Sequence, residues 1–304
     1  MLKKQVEEAE VHFLTKKQFK PVVENNPYID KVHVLDESIS SLVKNLKAEE
    51  FDYIIDLHNN LRTAGIKYKL RLIAFSYYKL NIQKWLMVHF KINRLPAAHI
   101  VDRYLDTVKL FDVVNDNKGL DYFISENDEV NLNSFPEKFQ RGYIAFVIGA
   151  KHYTKQMPAD KIISVCRKIS HPVIFLGGLD DVEKAEIIVQ ELKGDVMNAC
   201  GKYNLNQSAS LIKQARVVIT SDTGLMHIAA AFRKKIISVW GNTIPEFGMS
   251  PYLPDADSVI FEVKGLKCRP CSKLGFNKCP KKHFNCMNLI DENGIVEKVQ
   301  ELFR

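Results

Sequence analysis

The sequence predicts an α/β protein with two doubly wound parallel sheets. Short apolar segments rich in β-branched residues alternate with amphipathic helical segments along most of the chain, which is typical of parallel sheets covered by helices. Several of the apolar segments end in glycine-containing turns, as expected where a strand passes into a helix. The chain has 304 residues, of which 46% are hydrophobic, so it can form two domains that each have their own core.

The first half of the chain alternates between strand and helix as far as residue 111. Its apolar runs predict strands at 11–14, 32–35, 51–57 and 73–78. Apolar spacing and helix-ending signals predict helices at 3–9, 17–24, 38–49, 62–72 and 99–111. Residues 79–98 are predicted to be a connector, and the polar residues 115–142 an inter-domain segment with a strand-like stretch at 120–124.

The second half repeats the same alternation. Strands are predicted at 143–148, 173–176, 196–199, 217–220 and 236–239. Helices are predicted at 159–169, 181–192, 206–215, 225–232 and 294–303. The two halves begin differently, because the second starts with a strand and a glycine turn whereas the first starts inside a helix.

A doubly wound domain normally has its first strand in the middle of the sheet. We therefore expect that roughly twenty residues, one strand and its loop, are missing from the first domain. The alternative is a fold with a different strand order.

Residues 217–248 contain the most informative stretch. The strand at 217–220 is followed by the N-cap residue types 221–223 and by Gly224, which permits a tight turn into the helix 225–232. A helix N-terminus at the carboxyl end of a strand favours a phosphate, and ligands of open α/β sheets bind at this edge. The loop 240–243 follows the next strand at the same edge, and the two loops together predict a nucleotide pocket. The alternative is an ordinary strand–helix–strand unit with small residues at its turn.

The formal net charge is +7, with basic residues clustered at 67–91 and 264–282. This excess suits a phosphorylated small molecule, an anionic membrane surface or nucleic acid, or a solvated face with no partner. Nucleic acid is disfavoured, because the basic residues are not interleaved with aromatic residues on one face. No apolar run is long enough to span a bilayer and the N-terminus is charged, so we expect a cytoplasmic protein.

Four local segments resemble glycosyltransferase family 9, the heptosyltransferases of the lipopolysaccharide inner core. Residues 221–230 are similar to the family's Asp-Thr-Gly-x-x-His signature, and 154–158 after Gly149 to its Thr-Lys-x-Trp-Pro segment, with Met157 in place of tryptophan. The other two are Gly177-Gly178 with the acidic residues behind it, and the cysteine-rich segment 268–287. Weaker support comes from Asp56-Leu57-His58-Asn59 and from His99-x-x-Asp102-Arg103-Tyr104.

The resemblance implies the GT-B fold, in which two Rossmann-like domains face a cleft. It implies an acceptor-side domain at 1–135, a nucleotide-sugar domain at 136–290 and a C-terminal helix at 291–304. It also implies metal-independent, inverting transfer of heptose from ADP-heptose to a lipopolysaccharide core or lipid A-linked acceptor. The alternatives are a nucleotide-sugar-binding relative with weak or no activity, and a transferase of another sugar to another glycan.

The resemblance also implies the site. The expected donor-binding residues are Gly149, Thr154, Lys155, Glu183, Asp222, Thr223, Gly224, Leu225 and His227. Lys155 and the backbone N–H groups of 223–225 would meet the diphosphate. Asp222 would hold sugar hydroxyls or cap the helix, and His227 would reach a phosphate or ribose or be a core residue. Glu183 or Asp181 would bind ribose or sugar, or complement the helix dipole.

On the acceptor side the resemblance implies His58, Asn59 and Arg103. The family's catalytic aspartate lies in the loop after the first strand of the first domain. We expect that loop to be missing, so the catalytic residue is unknown and the chain is predicted to bind donor but to transfer poorly. The basic, partly apolar stretch 68–91 would contact the acceptor or the inner face of the membrane peripherally.

Four cysteines crowd into the segment 268–286. Cys268, Cys271, Cys279 and Cys286, with His283 among them, have the spacing of a structural zinc site. Two other interpretations remain open, reduced packing residues and a labile disulfide. No cofactor is required for the expected transfer, with an ADP-sugar as the substrate.

Overall fold

The computed structural model describes residues 1–35 and 38–304. Its internal contacts divide the chain into two compact units. Unit 1 comprises residues 1–81 and 97–118, and unit 2 comprises residues 82–96 and 119–304. The chain therefore leaves unit 1, enters unit 2 and returns before its longest segment begins. The domain limits expected from the sequence, at residues 135 and 290, stay a prediction.

Unit 1 contains two separate pairs of parallel strands among its described residues. Strand β1 (His12–Lys16) pairs with β2 (Lys31–Leu35), and β3 (Tyr53–Asp56) pairs with β4 (Ile73–Ser76). The helices are α1 (Leu2–Gln5), α2 (Lys20–Val23), α3 (Ile39–Lys47), α4 (Leu61–Leu70) and α6 (Ile100–Leu105), the last continuing as 3₁₀ turns (Asp106–Phe111). All four predicted strands are confirmed, but the described residues do not join them into one sheet.

The core of unit 1 is small. Helix α3 begins at Ser38, whose hydroxyl accepts the N–H of Ser41 at 3.1 Å, an N-cap that satisfies one free donor of the first turn. Its apolar stripe, Leu42, Val43 and Leu46, packs against Ile66 of α4. The strands themselves are largely half-buried or exposed, in contrast to the buried helix residues of this cluster.

Unit 2 is built on one six-stranded sheet in which every neighbouring pair is parallel. The strands are β5 (Ile144–Val147), β6 (Val173–Leu176), β7 (Val196–Asn198), β8 (Val217–Ser221), β9 (Lys235–Trp240) and β10 (Val259–Glu262). Their spatial order is β10-β9-β8-β5-β6-β7. The chain fills one side of β5 with β6 and β7, and then crosses to the other side to form β8. This is a doubly wound sheet, as predicted, with its topological switch point between β5 and β8.

Helices cover both faces of this sheet. The helices of unit 2 are α5 (Asn81–Phe90), which contributes to neither apolar cluster of the sheet, α7 (Glu137–Gln140), α8 (Ala159–Arg167), α9 (Val182–Leu192), α10 (Leu205–Gln214), α11 (Gly224–Ala231), α12 (Asn285–Asn288) and α13 (Glu292–Leu302). Alternate strand residues enter two separate apolar clusters, one that includes α8, α9 and α13 and one that includes α10 and α11. Strands β5, β6 and β8 are buried along their whole length, which explains their continuous β-branched and aromatic sequences.

The structure corrects three sequence predictions. Residues 120–124 form no strand, because the ring of Tyr122 packs on Phe232 and its hydroxyl donates to Asn206 Oδ1 at 2.6 Å instead of the backbone joining a sheet edge. The predicted connector contains helix α5, whose apolar residues are largely exposed. Strand β10 was not predicted, because its four residues are only half-buried at the sheet edge.

The C-terminal helix docks on unit 2. Ile295, Val299 and Leu302 of α13 are buried in the cluster shared with α8, and Lys161 of α8 pairs with Glu292 at 2.5 Å. In the described part of the chain, none of the helices has both the length and the apolar character needed to cross a bilayer.

Candidate functional site

The switch point of unit 2 brings two loops of the sequence together. The loop 149–158 follows β5 and the loop 222–223 follows β8, and these two strands are hydrogen-bonded neighbours with Val147 opposite Thr220. Because the chain leaves β5 and β8 toward different sides of the sheet, a crevice opens at their carboxyl ends. Both loops carry residues of the predicted donor site.

Helix α11 begins at this crevice. Thr223 is its N-cap residue, and its hydroxyl accepts the N–H of Met226 at 3.4 Å and lies 3.3 Å from the hydroxyl of Thr220. Gly224 is exposed, and a Cβ added there would meet no atom within 4 Å. The free N–H groups of the first turn are thus approachable, which is the geometry that binds phosphate at helix N-termini.

Lys155 and Asp222 form an ion pair across the two loops. The Lys155 ammonium lies 2.6 Å from Asp222 Oδ2, and the two side chains are 16% and 8% exposed. The same oxygen accepts the hydroxyl of Thr243 at 3.0 Å, from the loop after β9. Three strand-end loops therefore meet at one carboxylate. Asp222 neutralises Lys155 here, so the net positive charge of the edge comes from the helix N-terminus until a ligand carboxylate or phosphate competes for the ammonium.

Lys184 holds the loop of Lys155 from beneath. Its ammonium donates to the carbonyls of Met157 at 2.8 Å and Ile148 at 3.3 Å, and to Gln156 Oε1 at 3.3 Å. Burial lowers the pKa of Lys184 to about 8, partly offset by the charge of Asp181. Sequence reasoning missed this residue; the available signal was a lysine adjacent to Ala185 on the buried side of α9.

The glycine turns after β5 and β6 surround the carboxyl group of Asp181. Asp181 Oδ2 accepts the N–H of Gly178 at 2.9 Å, and a Cβ at Gly149 would lie only 2.0 Å from that oxygen. Asp181 is buried and used by the turn, whereas Glu183 is exposed in the first turn of α9. Of the two acidic residues named from the sequence, Glu183 is the one free to face a ligand.

Thr154 and Asn242 lie beneath the loops. The hydroxyl of Thr154 accepts the N–H of Phe276 at 2.8 Å and the side chain is buried, so it anchors the segment near 276 rather than presenting its hydroxyl to solvent. Asn242 is 1% exposed, and neither its side-chain oxygen nor its nitrogen has a hydrogen-bond partner in the described residues. A buried amide without partners is costly. Asn242 is thus a second residue of this edge that sequence reasoning did not single out.

The remaining residues of the donor prediction lie on α11. Leu225 and His227 are half-buried, and His227 is one turn into the helix. The structure thus brings Gly149, Lys155, Asp222, Thr223 and Gly224 to one edge of the sheet. The donor role of each residue stays a prediction.

The acceptor-side residues lie in unit 1 around the end of β3. Asp56 Oδ1 accepts the N–H groups of His58 at 3.0 Å and Asn59 at 2.7 Å, and Oδ2 lies 2.7 Å from the ammonium of Lys67. Burial opposes the charge of Asp56, but Lys67 and these N–H groups outweigh it and hold the pKa of the carboxyl below its usual value. Asp56 therefore fixes the turn that presents His58, which is exposed.

Asn59 and Arg103 both bind the segment after β4. Asn59 Nδ2 donates to the carbonyl of Tyr77 at 3.1 Å, and Arg103 Nη1 to that of Tyr78 at 3.2 Å. Arg103 is buried, 5% exposed, so it has a structural use beside the acceptor role expected from the sequence.

A surface depression of about 570 Å³ lies elsewhere in unit 1, near the carboxyl ends of β1 and β2. Three of the residues that line it are cationic; the lining residues are Lys16, Lys17, Gln18, Leu35, Ile39 and Arg62. A basic depression of this size suits an anionic group.

The cysteine segment does not form a compact metal site in the described residues. Cys268 Sγ lies 3.9 Å from His283 Nε2, but no three of the candidate ligand atoms here lie within 4.8 Å of one another. Burial raises the pKa of Cys271 to about 11 and that of Cys286 to about 12, so these thiols are protonated at neutral pH. The thiols of this arrangement do not fit a preformed tetrahedral zinc site, and zinc at these cysteines stays a prediction.

Similar proteins carry heptosyltransferase names. The lipooligosaccharide heptosyltransferase 2 of Haemophilus influenzae is 28% identical over 251 residues, covering 75% of this chain and 71% of that protein. The lipopolysaccharide heptosyltransferase 1 of Campylobacter coli is 21% identical over 99% of this chain and 92% of its own length. Coverage of this extent gives no support to the prediction that a strand and loop are missing from the first domain.

Solved structures of the same kind share the fold. The family 9 glycosyltransferase from Veillonella parvula superposes with a TM-score of 0.78 at 22% identity, covering 99% of this chain and 90% of that one. The ADP-heptose lipopolysaccharide heptosyltransferase II of Escherichia coli gives 0.74 at 16% identity, with 99% and 92% covered. The predicted α/β fold of the GT-B heptosyltransferases, with parallel sheets, is confirmed.

The sequence pattern of a known family matches most of the chain. The matched region, residues 39–276, includes the Lys155 loop and the start of α11 in unit 2. It also includes the turn at Asp56 in unit 1. The chain belongs to glycosyltransferase family 9 (heptosyltransferase).

Proposed function

We propose that this protein transfers a heptose from ADP-heptose to an acceptor in the lipopolysaccharide inner core, with inversion at the anomeric carbon and without a catalytic metal. Membership of the family supports heptosyl transfer, and the names of the relatives support lipopolysaccharide as the acceptor. ADP-heptose is named for the E. coli enzyme of similar fold. We place the reaction in the cytoplasm.

The observation that carries the proposal is the meeting of Lys155 with the start of α11 at the switch point of unit 2. In the transfer, the acceptor oxygen bonds to the anomeric carbon while the bond from that carbon to the ADP oxygen breaks. The departing diphosphate gains negative charge. An ammonium and backbone N–H groups that are already in place stabilise such charge most in the transition state.

Asp222 has a positioning role in this proposal. It pairs with Lys155, and the diphosphate would compete for the same ammonium when the donor binds. The carboxylate, still bonded to Thr243, is then available to accept a sugar hydroxyl. Asn242, buried beside these loops, has two polar atoms that a ligand or a bridging water would satisfy.

For the adenosine part of the donor, we assign Glu183 to accept ribose hydroxyls. This assignment is supported by its exposure in the first turn of α9, which follows the glycine turn after β6. Transfer also requires a base that takes the proton of the acceptor hydroxyl. We assign that role to no residue.

Unit 1 carries the features that suit the acceptor. His58 is presented on a turn that Asp56 fixes, and the depression lined by Lys16, Lys17 and Arg62 suits phosphate or carboxylate groups of the core. Separately, helix α5 of unit 2 exposes Ile82 at 67%, Trp85 at 52% and Phe90 at 58%. An exposed apolar helix of this kind supports a peripheral contact with the inner membrane.

The test is a transfer assay with ADP-heptose and lipopolysaccharide that lacks heptose, joined to calorimetric titrations with ADP, UDP and GDP. We expect heptose to appear on the acceptor, with unchanged rates in a chelator, and ADP to bind at least about tenfold more tightly than UDP and GDP. Binding of ADP-heptose without transfer would instead identify a nucleotide-sugar-binding relative. Transfer from a UDP- or GDP-sugar would identify a transferase of another sugar.

A further inference from the structure

Two histidines and a glutamate converge within unit 1. His12 Nδ1 lies 3.0 Å from His33 Nε2 and 3.7 Å from Glu49 Oε2, and the three ligand atoms lie within 4.8 Å of one another. We propose that His12, His33 and Glu49 form a binding site for a divalent transition-metal ion of the Zn²⁺ class.

The strand register brings the two histidines together. In the parallel pair β1–β2, His12 lies opposite Lys31 and Leu14 lies opposite His33. Because side chains alternate along a strand, His12 and His33 are diagonal neighbours on one face of the pair. Glu49 follows the end of α3 and reaches the same face. The ligands thus come from three separate segments whose positions the fold fixes.

An aromatic ring closes the cluster on one side. The ring of Phe51 meets that of His12 edge-on at 5.0 Å between centroids, and that of His33 at 6.1 Å. The His12 side chain is 7% exposed, and that of Glu49 is 21% exposed. The imidazoles are therefore held in place, while the carboxylate side of the cluster remains open to an entering ion.

The distances suit a small ion. Zn²⁺ binds imidazole nitrogen and carboxylate oxygen at about 2.0–2.2 Å in tetrahedral geometry, which places two ligand atoms roughly 3.4 Å apart. The two measured separations, 3.0 and 3.7 Å, lie on either side of that value. Binding would need shifts of a few tenths of an ångström, and a water would take the fourth position.

Glu10 orients His12 for this role. Its Oε1 lies 2.8 Å from His12 Nε2, and a carboxylate oxygen accepts, so Nε2 carries the proton. The lone pair of His12 is then on Nδ1, the nitrogen that faces His33 and Glu49. Metal-bound histidines characteristically donate their second nitrogen to a carboxylate in this way.

Metal binding must break the contact between the two imidazoles, in which His33 Nε2 donates to His12 Nδ1. An ion would move the His33 proton from Nε2 to Nδ1. The Lys31 ammonium pairs with Glu49 Oε1, whereas Oε2 faces His12, so Lys31 and the ion would share the carboxylate. Two imidazoles and one carboxylate favour Zn²⁺ and its first-row neighbours over Mg²⁺ or Ca²⁺.

The test uses the full-length chain after removal of metal with a chelator and dialysis. Calorimetric titration with ZnCl₂ is expected to give one ion per chain at this site, and MgCl₂ to give none. His33→Gln and Glu49→Gln are each expected to weaken Zn²⁺ binding by more than about tenfold, and Glu10→Gln by about tenfold. The matched control His89→Gln removes an exposed histidine of α5 and is expected to leave binding unchanged.

The cysteine segment could also take zinc, so the double variant Cys268→Ser/Cys271→Ser separates the two sites. We expect it to keep one ion whose binding still depends on His33 and Glu49. Nitrogen-15 spectra of the imidazoles give a second readout that does not depend on variant stability, since ZnCl₂ should shift His12 and His33 and leave His89 in place. Absence of binding, or binding that the cysteine variant abolishes and His33→Gln leaves intact, would overturn the proposal.

Discussion

Each compact unit has an aspartate at or directly after the end of a strand that pairs with a lysine, but the two ion pairs are built differently. Asp56 in unit 1 is bound by the N–H groups of the next residues and by Lys67 from the helix that follows. Asp222 in unit 2 is bound by Lys155 and Thr243, which come from two other strand-end loops. The Asp56–Lys67 pair, which is local in sequence, fixes a turn. The Asp222–Lys155 pair joins separate loops, and its ammonium is available to an anionic ligand that competes with Asp222.

The strands that support the two ion pairs also differ in how deeply they are buried. The Asp222 pair lies at the end of a sheet whose central strands are wholly buried between two apolar clusters. The Asp56 pair lies at the end of a two-stranded ribbon with a half-exposed surface. A ligand edge that must hold charged groups in place is expected on the more rigid of two such supports. Four experiments test this difference.

Asp56→Ala should have the largest effect on stability. The substitution leaves the Lys67 ammonium without its carboxylate partner and two N–H groups of the turn without their acceptor. The free energy of unfolding should therefore fall by about 3–5 kcal/mol. Because the pKa of Asp56 is depressed, its contribution is present above the unfolded-state pKa and is lost as pH falls through the folded-state pKa. Urea unfolding at several pH values measures both. The control Asp52→Ala, an exposed neighbour, should change little, and ADP affinity should stay within about twofold in both variants.

Lys184→Met should change how stability depends on alkaline pH. The folded-state pKa of about 8 lies below the 10.5 of an ordinary lysine, so the unfolded chain binds more protons between these values and wild-type stability rises with pH across that window. The rise attributable to Lys184 is at most about 3 kcal/mol. Subtracting the curve of the variant from that of the wild type should isolate it. Lys193→Met, an exposed lysine just after the same helix, should leave the curve unaltered; equal slopes in wild type and Lys184→Met would contradict the buried ammonium.

Lys155→Met should weaken ADP binding by about ten- to hundredfold, since a hydrogen bond to a charged group contributes about 1.5–3 kcal/mol. Calorimetry with ADP measures the loss. Lys151→Met, an exposed lysine of the same loop, is the matched control and should change affinity by less than about threefold. Equal losses in both variants would indicate a general charge effect instead of a specific contact at the Asp222 edge.

Gly224→Ala in unit 2 and Gly65→Ala in unit 1 compare the effect of adding one methyl group to a helical glycine. Both glycines are helical, and a Cβ at either position meets no atom within 4 Å. Each change should raise the free energy of unfolding by up to about 1 kcal/mol, because alanine favours helix. Only Gly224→Ala should weaken ADP binding, by about three- to tenfold, since its methyl group stands where a phosphate approaches the helix N–H groups. Unchanged ADP affinity in Gly224→Ala would contradict phosphate binding at the N-terminus of α11.

Five of the six strands of unit 2, and the meeting of loops at the carboxyl ends of β5 and β8, could be predicted from the sequence because both follow from local patterns. Val217–Ser221 is a continuous β-branched run, and Thr223 with Gly224 gives the N-terminal signal of α11. The proximity of Lys155 to the loop of Asp222 could be predicted, because each residue follows a strand and the two strands are neighbours in the sheet. The sequence could not reveal that Asp222 already neutralises Lys155, since that depends on the distance between two loops.

What escaped prediction depends on tertiary contacts. Lys184 looks like any lysine of an amphipathic helix until its three oxygen acceptors are known. In the His12–His33–Glu49 cluster, the second and third residues follow His12 by 21 and 37 positions, which is no recognisable motif spacing. The β1–β2 register and the end of α3 bring the three residues together. Asn242 lay in a loop that the sequence did place at the edge, but its buried amide is a property of the packing.

Helix α5 illustrates how the chain is threaded. It lies in sequence between two segments of unit 1 but belongs by its contacts to unit 2, where Lys91, just after it, donates to the carbonyl of Pro270 at 2.7 Å. Three covalent connections therefore link the units. No single proteolytic cut or gene fusion can separate them cleanly, because a break at residue 118 leaves α5 on the wrong fragment. Exchanging either unit for that of a relative would require at least two segments of the chain to be exchanged at once, so the compact units are not units of recombination.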